Sequence, residues 1–304
     1  MSTNDGSILT PCPIPTSKSI ADGTAESLPP WSLQAEAWWI LPVIPMPWQT
    51  KELPNGALDP QESTNFQKLQ ATYQGGIGAI QLIRYHSSPL GPYDELLYIP
   101  GQMKYKVGES SLSGASITRI YVSTFASVAN GKLSSQIPRN VPKHLARFEF
   151  TSETPSDSLS PTLASVYPSL SDSPTPEFSQ DPVFRARLVP SRRLPNFPLN
   201  LSKLPRTLLD PRVIQPPLTD PIGTEQWCIV APGYAGQVRV MYPEPGLEGA
   251  RYGDGVGFPD LQPMSVGLWW PKASASALSG LARAIDIRLG GYFVSCPGNF
   301  RPDF

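Results

Sequence analysis

Charge is what this sequence has least of. Only 16% of its 304 residues are Asp, Glu, Lys or Arg, against about 25% in ordinary globular chains. The 24 basic and 25 acidic residues leave a net charge of −1. A phosphate backbone is held by a basic surface, so no nucleic-acid partner is expected. Histidine and cysteine are sparse too. His86 and His144 are too few for a histidine-built zinc site. Cys12, Cys228 and Cys296 lie too far apart for a metal motif or a disulfide framework, so no metal is expected. The run Gly75-Gly76-Ile77-Gly78 lacks both the Walker lysine and the dinucleotide spacing. No apolar run reaches about 18 residues, and no basic-then-apolar leader opens the chain. The expectation is a cytoplasmic protein with reduced thiols and no membrane contact.

Proline, in contrast, is abundant at 37 residues, and aromatics make up 10%. So many prolines exclude long uninterrupted helices and favour strands joined by rigid loops. The expected fold is mainly β with minor α. Residues 1–28 are rich in Ser, Thr, Pro and Gly and are expected to be a mobile arm. The folded domain is expected over 29–272. Within it the apolar run Trp31–Trp48, broken by Pro42 and Pro45, has the character of a buried strand. Strands are also expected at Ala79–Tyr85, Leu96–Pro100, Val183–Val189, Gly236–Tyr242 and Val266–Pro271. The β-branched and aromatic run Ile117–Val128 is the clearest strand, ended by a hairpin-type turn at Asn130-Gly131. Phe66, Leu69 and Tyr73 mark a short helix. Residues 151–182, dominated by Ser, Pro, Thr and Asp, predict a long surface loop. The tail, 273–304, changes character. Leu278, Leu281, Ile285 and Leu289 have helical spacing before Gly290-Gly291, and this tail is expected to lie outside the β domain.

Two stretches carry chemistry. The first runs from Pro138 to Phe150, with Val141-Pro142-Lys143-His144-Leu145 at its centre. Proline stiffens the corner, and Lys143 leaves it beside Leu145 and Phe148. Burial in such a place disfavours the charged ammonium, and a neutral amine can attack a carbonyl to form a Schiff base. The second is Gly91-Pro92-Tyr93-Asp94-Glu95-Leu96-Leu97-Tyr98-Ile99-Pro100-Gly101. In order and spacing the two together resemble the acetoacetate decarboxylase family, in which a Tyr-x-Glu segment precedes a Pro-Lys-x-Leu segment. The resemblance covers about residues 31–272.

What the resemblance implies is an antiparallel β-barrel or cone without metal or organic cofactor. In it Lys143 is the Schiff-base lysine and Glu95 the carboxylate that moves protons at the reacting carbon. The chain departs from the family in three places. His144 stands where well-studied members have a second lysine, no arginine occurs between Trp31 and Ile40, and Ile80 or Gln81 stands at the position of an upstream acid. Tyr93, Arg84, His144, Tyr121 and Trp39 are the candidate substrate-binding residues. The implied function is that of a decarboxylase-like lyase, acting in secondary metabolism on a β-keto acid or related small-molecule carbonyl substrate. Two alternatives stay open: a cyclase, aldolase or dehydratase acting on a bulky polyketide-like substrate in the same pocket, and a non-enzymatic small-molecule binding barrel. Assembly as a homo-oligomer is also left open.

Overall fold

Alternating burial along short extended segments dominates the computed structural model, which describes residues 31–42, 52–132, 141–171, 176–205, 210, 212–218, 227–261 and 263–278. The elements in chain order are β1 (Trp31–Pro42), α1 (Ser63–Lys68), β2 (Thr72–Gly75), β3 (Ala79–Ser87), β4 (Tyr93–Ile99), β5 (Gln102–Val107), β6 (Ser110–Ala115), β7 (Arg119–Val122), α2 (Phe125–Lys132), β8 (Lys143–Ser152), β9 (Thr162–Pro168), β10 (Phe184–Pro190), β11 (Phe197–Asn200), β12 (Val213–Gln215), β13 (Cys228–Pro245) and β14 (Pro263–Leu278). A single 3₁₀ turn, Leu201–Lys203, follows β11.

Nine strands close into a barrel in the order β10-β9-β8-β7-β4-β3-β1-β14-β13, with β13 pairing back onto β10. Every neighbouring pair is antiparallel except β7 and β8, so the barrel is mixed. Parallel neighbours need a crossover connection, and α2 supplies it. This corrects the expected course of Ile117–Val128: the strand stops at Val122, and Asn130-Gly131 lies inside α2, not in a hairpin turn. Thr124 starts the helix, its Oγ1 accepting the Ser127 backbone N–H at 3.3 Å. Outside the ring, β12, β6, β5 and β2 extend from β13 as a smaller sheet. That sheet packs with α1 around Phe66, Tyr73, Met103 and Tyr105.

Both faces of the central strands are buried. One core receives side chains from all nine ring strands, among them Trp38, Leu82, Leu96, Tyr121, Ala146, Val166, Ala186, Met241 and Trp269; it is the barrel interior. The other face of β1, β3, β4, β7, β8, β13 and β14 feeds a second core that includes Trp39, Ile83, Leu97, Val122, Leu145, Tyr234 and Trp270. Val128 of α2, Leu201 and Val213 of β12 cover it. Successive residues of a strand point to opposite faces, so each strand divides its side chains between the two cores.

Two further expectations are corrected. The low-complexity region 151–182 contains a barrel strand, β9, and the end of β8. Its small Ala164 and its Val166 alternate into the interior, where the strand needs little bulk. The helical spacing expected from Ala275 fails at its start, because β14 continues through Leu278, past the expected boundary at Lys272. Ala273, Ala275 and Ala277 pair with β1 and with β13 at once, and backbone pairing on two sides overrides a helical side-chain pattern. Residues 1–30 and 279–304, and with them the mobile-arm expectation and the rest of the expected helix, lie outside the described residues, as do Pro138–Asn140 of the lysine stretch.

A chain truncated after Lys272 loses the last six residues of β14, which join β1 to the first half of β13. It is expected to melt well below a chain truncated after Leu278, or to be insoluble, as read by thermal denaturation of the two soluble fractions.

Candidate active site

Lys143 opens β8 directly after the Val141-Pro142 corner. Its side chain and that of Leu145 face the second core, whereas His144 and Ala146 face the barrel interior. Glu95 is on the same face of β4 as Tyr93 and Leu97. The lysine Nζ donates to Glu95 Oε2 at 3.1 Å and to Ser127 Oγ at 3.0 Å, and sits 5.6 Å from the centre of the Tyr93 ring. Both charged side chains are largely buried, at 13% and 8% exposure.

Helix α2 shapes this place twice. Ser127 and Gly131 are four residues apart and so share one helix face. Ser127 holds the ammonium, and Gly131 makes room for the stem behind it. A methyl group at Gly131 would stand 2.7 Å from Lys143 Cδ and 3.1 Å from Cγ, closer than van der Waals contact allows.

A row of phenols continues from the ion pair across the sheet. Tyr93 neighbours Ser127 and Tyr85, and Tyr85 neighbours Tyr234 of β13. The Tyr85 and Tyr93 rings lie 4.5 Å apart. Burial, reinforced by the negative charge of Glu95, pushes all three hydroxyls above their ordinary value of 10. They therefore remain neutral near physiological pH, able to donate as well as accept. Beyond them Trp39 packs on Tyr234 at 5.1 Å and on Trp270 at 5.0 Å between ring centres.

Of the residues singled out in the sequence, the structure brings together Lys143, Glu95, Tyr93 and Trp39. Arg84, His144 and Tyr121 belong to the opposite face. Arg84 pairs with Asp94 at 3.1 Å and lies over Phe150. Tyr121 stands beside His144 in the parallel β7–β8 register and donates to the Gly257 carbonyl at 2.8 Å. His144 Nε2 bonds the fully buried Asp59, which also meets the Arg119 guanidinium at 3.6 Å. Burial works against ionisation of Asp59, but the charge and hydrogen bond of His144, with Arg119 behind them, outweigh it and hold the carboxyl below its ordinary 3.8.

Ser127, Gly131, Tyr85, Tyr234 and Trp270 are the site residues missed in the sequence. For Tyr85 the signal was present, since two-residue alternation in β3 sets it opposite Arg84. For Ser127 and Gly131 there was none, because Ser127 lies in a run with the composition of a strand and Asn130-Gly131 has that of a turn.

A closed β-barrel with a buried lysine–carboxylate pair on one face of its wall defines the class. No protein-family model matches the sequence, and comparison with curated proteins finds no match. Among solved structures, one described as "Structural Studies of Acetoacetate Decarboxylase" is similar over 83% of this chain and 91% of its own, at 9% identity and a TM-score of 0.40. At that identity and that TM-score the likeness transfers neither an activity nor a site residue.

Gly131→Ala is expected to leave the melting temperature unchanged or higher, since alanine favours helix over glycine by about 1 kcal/mol. It displaces the Lys143 stem, and a misplacement of about 1 Å costs on the order of 100-fold in turnover. Stability and activity moving together would contradict this.

The Asp59 contacts predict an acid limit. With its folded value depressed, the carboxyl contributes stability in full above pH ~4, and that contribution is lost as pH falls through the depressed value. Urea denaturation at a series of pH values should show this loss in the parent chain but not in Asp59→Asn. That variant should already be weaker by about 3–5 kcal/mol at neutral pH, because a buried partner is left uncompensated.

Proposed function

We propose that this protein is a carbon–carbon lyase acting on a carbonyl compound through a Schiff base at Lys143, with Glu95 as its proton carrier. The observation that carries this reading is the buried Nζ of Lys143, held 3.1 Å from Glu95 and 3.0 Å from Ser127 in an otherwise apolar and aromatic surround. A lone surface lysine has no use for such an arrangement. An amine that must lose a proton and take it back has use for each part of it.

The chemistry follows from the pair. Transfer of a proton from Nζ to Glu95 leaves a neutral amine and a carboxylic acid. Attack on the substrate carbonyl forms a C–N bond, and loss of water gives an iminium. From a β-keto acid, the bond to the carboxylate carbon then breaks. Its electron pair passes into an enamine, and carbon dioxide leaves. Glu95 gives its proton back as the carbinolamine loses water, takes up another from solvent and delivers that one to the enamine carbon, and water then releases the ketone and the lysine.

A second reading has its own support. Among the described residues, Arg84 and Arg119 each pair with a carboxylate on the other face of the sheet, so neither meets a substrate carboxylate beside Lys143. An enamine formed there from a substrate with a second carbonyl attacks that carbon instead. The attack closes a ring, and loss of water completes a cyclase or dehydratase reaction.

Borohydride added with a ketone is expected to attach the ketone's mass to Lys143, read by peptide mass spectrometry. Lys143→Arg should lose both the adduct and turnover, since arginine is not deprotonated in proteins. Glu95→Gln should keep binding but slow turnover by about 10²–10⁴-fold. An active Lys143→Arg protein would leave the barrel as a binding protein or a shape-driven cyclase. Carbon dioxide release from a β-keto acid separates decarboxylation from ring closure.

A further inference from the structure

A cavity of about 620 Å³ opens at the small outer sheet, between α1, β2 and the segment from Glu52 to Leu58. Leu53, Leu58, Phe66, Ala71 and Met103 make its walls mainly apolar. Hollows of this size and character hold small molecules. A second hollow, of about 390 Å³, is polar, and Lys104, Lys106 and Ser111 line it. Gln70, Thr72 and Gln74 line both. The two are therefore the ends of one groove that crosses β2, the outermost strand of the sheet.

Strand period divides the groove this way. β5 exposes Gln102, Lys104 and Lys106 and buries Met103, Tyr105 and Val107. Thr72 pairs with Lys104, and the Lys106 backbone N–H donates to the Leu69 carbonyl at 2.7 Å. One lysine thus stands beside Thr72 and the other beside Gln70, where the hollows meet. Neither lysine forms an ion pair with a described residue. Glu109, in the turn from β5 to β6, is the one acid of the polar hollow, against two ammonium groups.

Gln70 is held at this junction against the preference of the backbone. Helix α1 ends with the Gln70 N–H donating to the Gln67 carbonyl at 3.0 Å and the Ala71 N–H to the Phe66 carbonyl at 2.8 Å. In that motif the residue at the Gln70 position is left-handed and is usually glycine. Gln70 has a φ of 44°, which a glycine adopts without strain. The chain gives up stability here and keeps a side chain that lines both hollows.

We propose that this groove binds a free medium-chain fatty acid, with its alkyl chain in the apolar hollow and its carboxylate between Lys104 and Lys106. The unpaired ammonium groups match one anion. Leu53, Leu58 and the adaptable Met103 suit a flexible chain. A cavity of ~150 Å³ takes up benzene, so the apolar hollow has room for a chain of about ten carbons. Gln70 lies between head and tail and donates its amide to the carboxylate. None of these residues belongs to the Lys143 group, and the groove needs no Schiff base.

Isothermal titration calorimetry of the full chain with decanoate, hexanoate and decyltrimethylammonium tests this. Decanoate is expected to bind most tightly. Hexanoate, four buried methylenes shorter, should bind about 100-fold more weakly, and the cation of equal chain length should also bind more weakly. In K104Q/K106Q the affinity for decanoate should fall about tenfold, and the preference over the cation should vanish. A71F fills the apolar hollow from its wall and should lose decanoate. Q70G should melt at a higher temperature than the parent chain yet bind decanoate several-fold more weakly, a split that a merely structural Gln70 would not give. Undiminished decanoate binding in K104Q/K106Q or in A71F, affinity independent of chain length, or no binding at all would overturn the proposal. A chain that ignores decanoate but pellets with phosphatidylglycerol vesicles has a membrane-docking face there, and one that ignores it and dimerises has an interface between copies. Either result would also overturn it.

Discussion

The two-residue period of a strand buried on both faces governs everything else in this molecule. Because the central strands separate two cores, sequence parity decides which of the two a buried side chain enters. Lys143 and His144 are neighbours in sequence and occupants of different compartments. The same rule separates Glu95 from Asp94 on β4, and Tyr85 from Arg84 on β3. Each compartment then has its own polar cluster: Lys143, Glu95, Ser127 and the tyrosines in one, Asp59, His144 and Arg119 in the other.

The two clusters do different physical work. The Asp59 group sits where loop 52–62 reaches the barrel interior, and it ties that loop to β7 and β8 through His144 and Arg119. Removing one member would leave a charge without a partner in a place that water does not reach, which is the signature of a structural tie. The Lys143 group is built otherwise. Its ion pair is flanked by hydroxyls that can both give and take a proton, and its lysine stem rests in a gap that only a glycine leaves.

The resemblance to a decarboxylase family led to Lys143 and Glu95 as partners, and the geometry brings them into contact. It also suggested neighbours by sequence distance, and there it failed for His144, Arg84 and Tyr121. His144 was assigned because it is next to Lys143 in sequence, and Arg84 and Tyr121 because they lie on strands near the two motifs. In a strand, adjacent residues do not share a pocket. The hidden strand β9 and the extension of β14 failed for another reason: Ser- and Ala-rich segments have weak intrinsic preference, and pairing with neighbours on the sheet decides their conformation.

What the sequence determined by itself is the content of the fold. Proline frequency and alternating apolar runs excluded long helices, and the strand-forming segments Ala79–Tyr85, Val183–Val189 (from Phe184 on) and Gly236–Tyr242 lie in strands of the barrel. These are local properties, written in neighbouring residues. Tertiary structure alone decided closure, the parallel β7–β8 junction and the partners of Lys143. Glu95 comes from 48 positions upstream and Ser127 from 16. Their meeting depends on register between strands distant in the chain, and register is set by the packing of both faces together, which no local stretch of sequence contains.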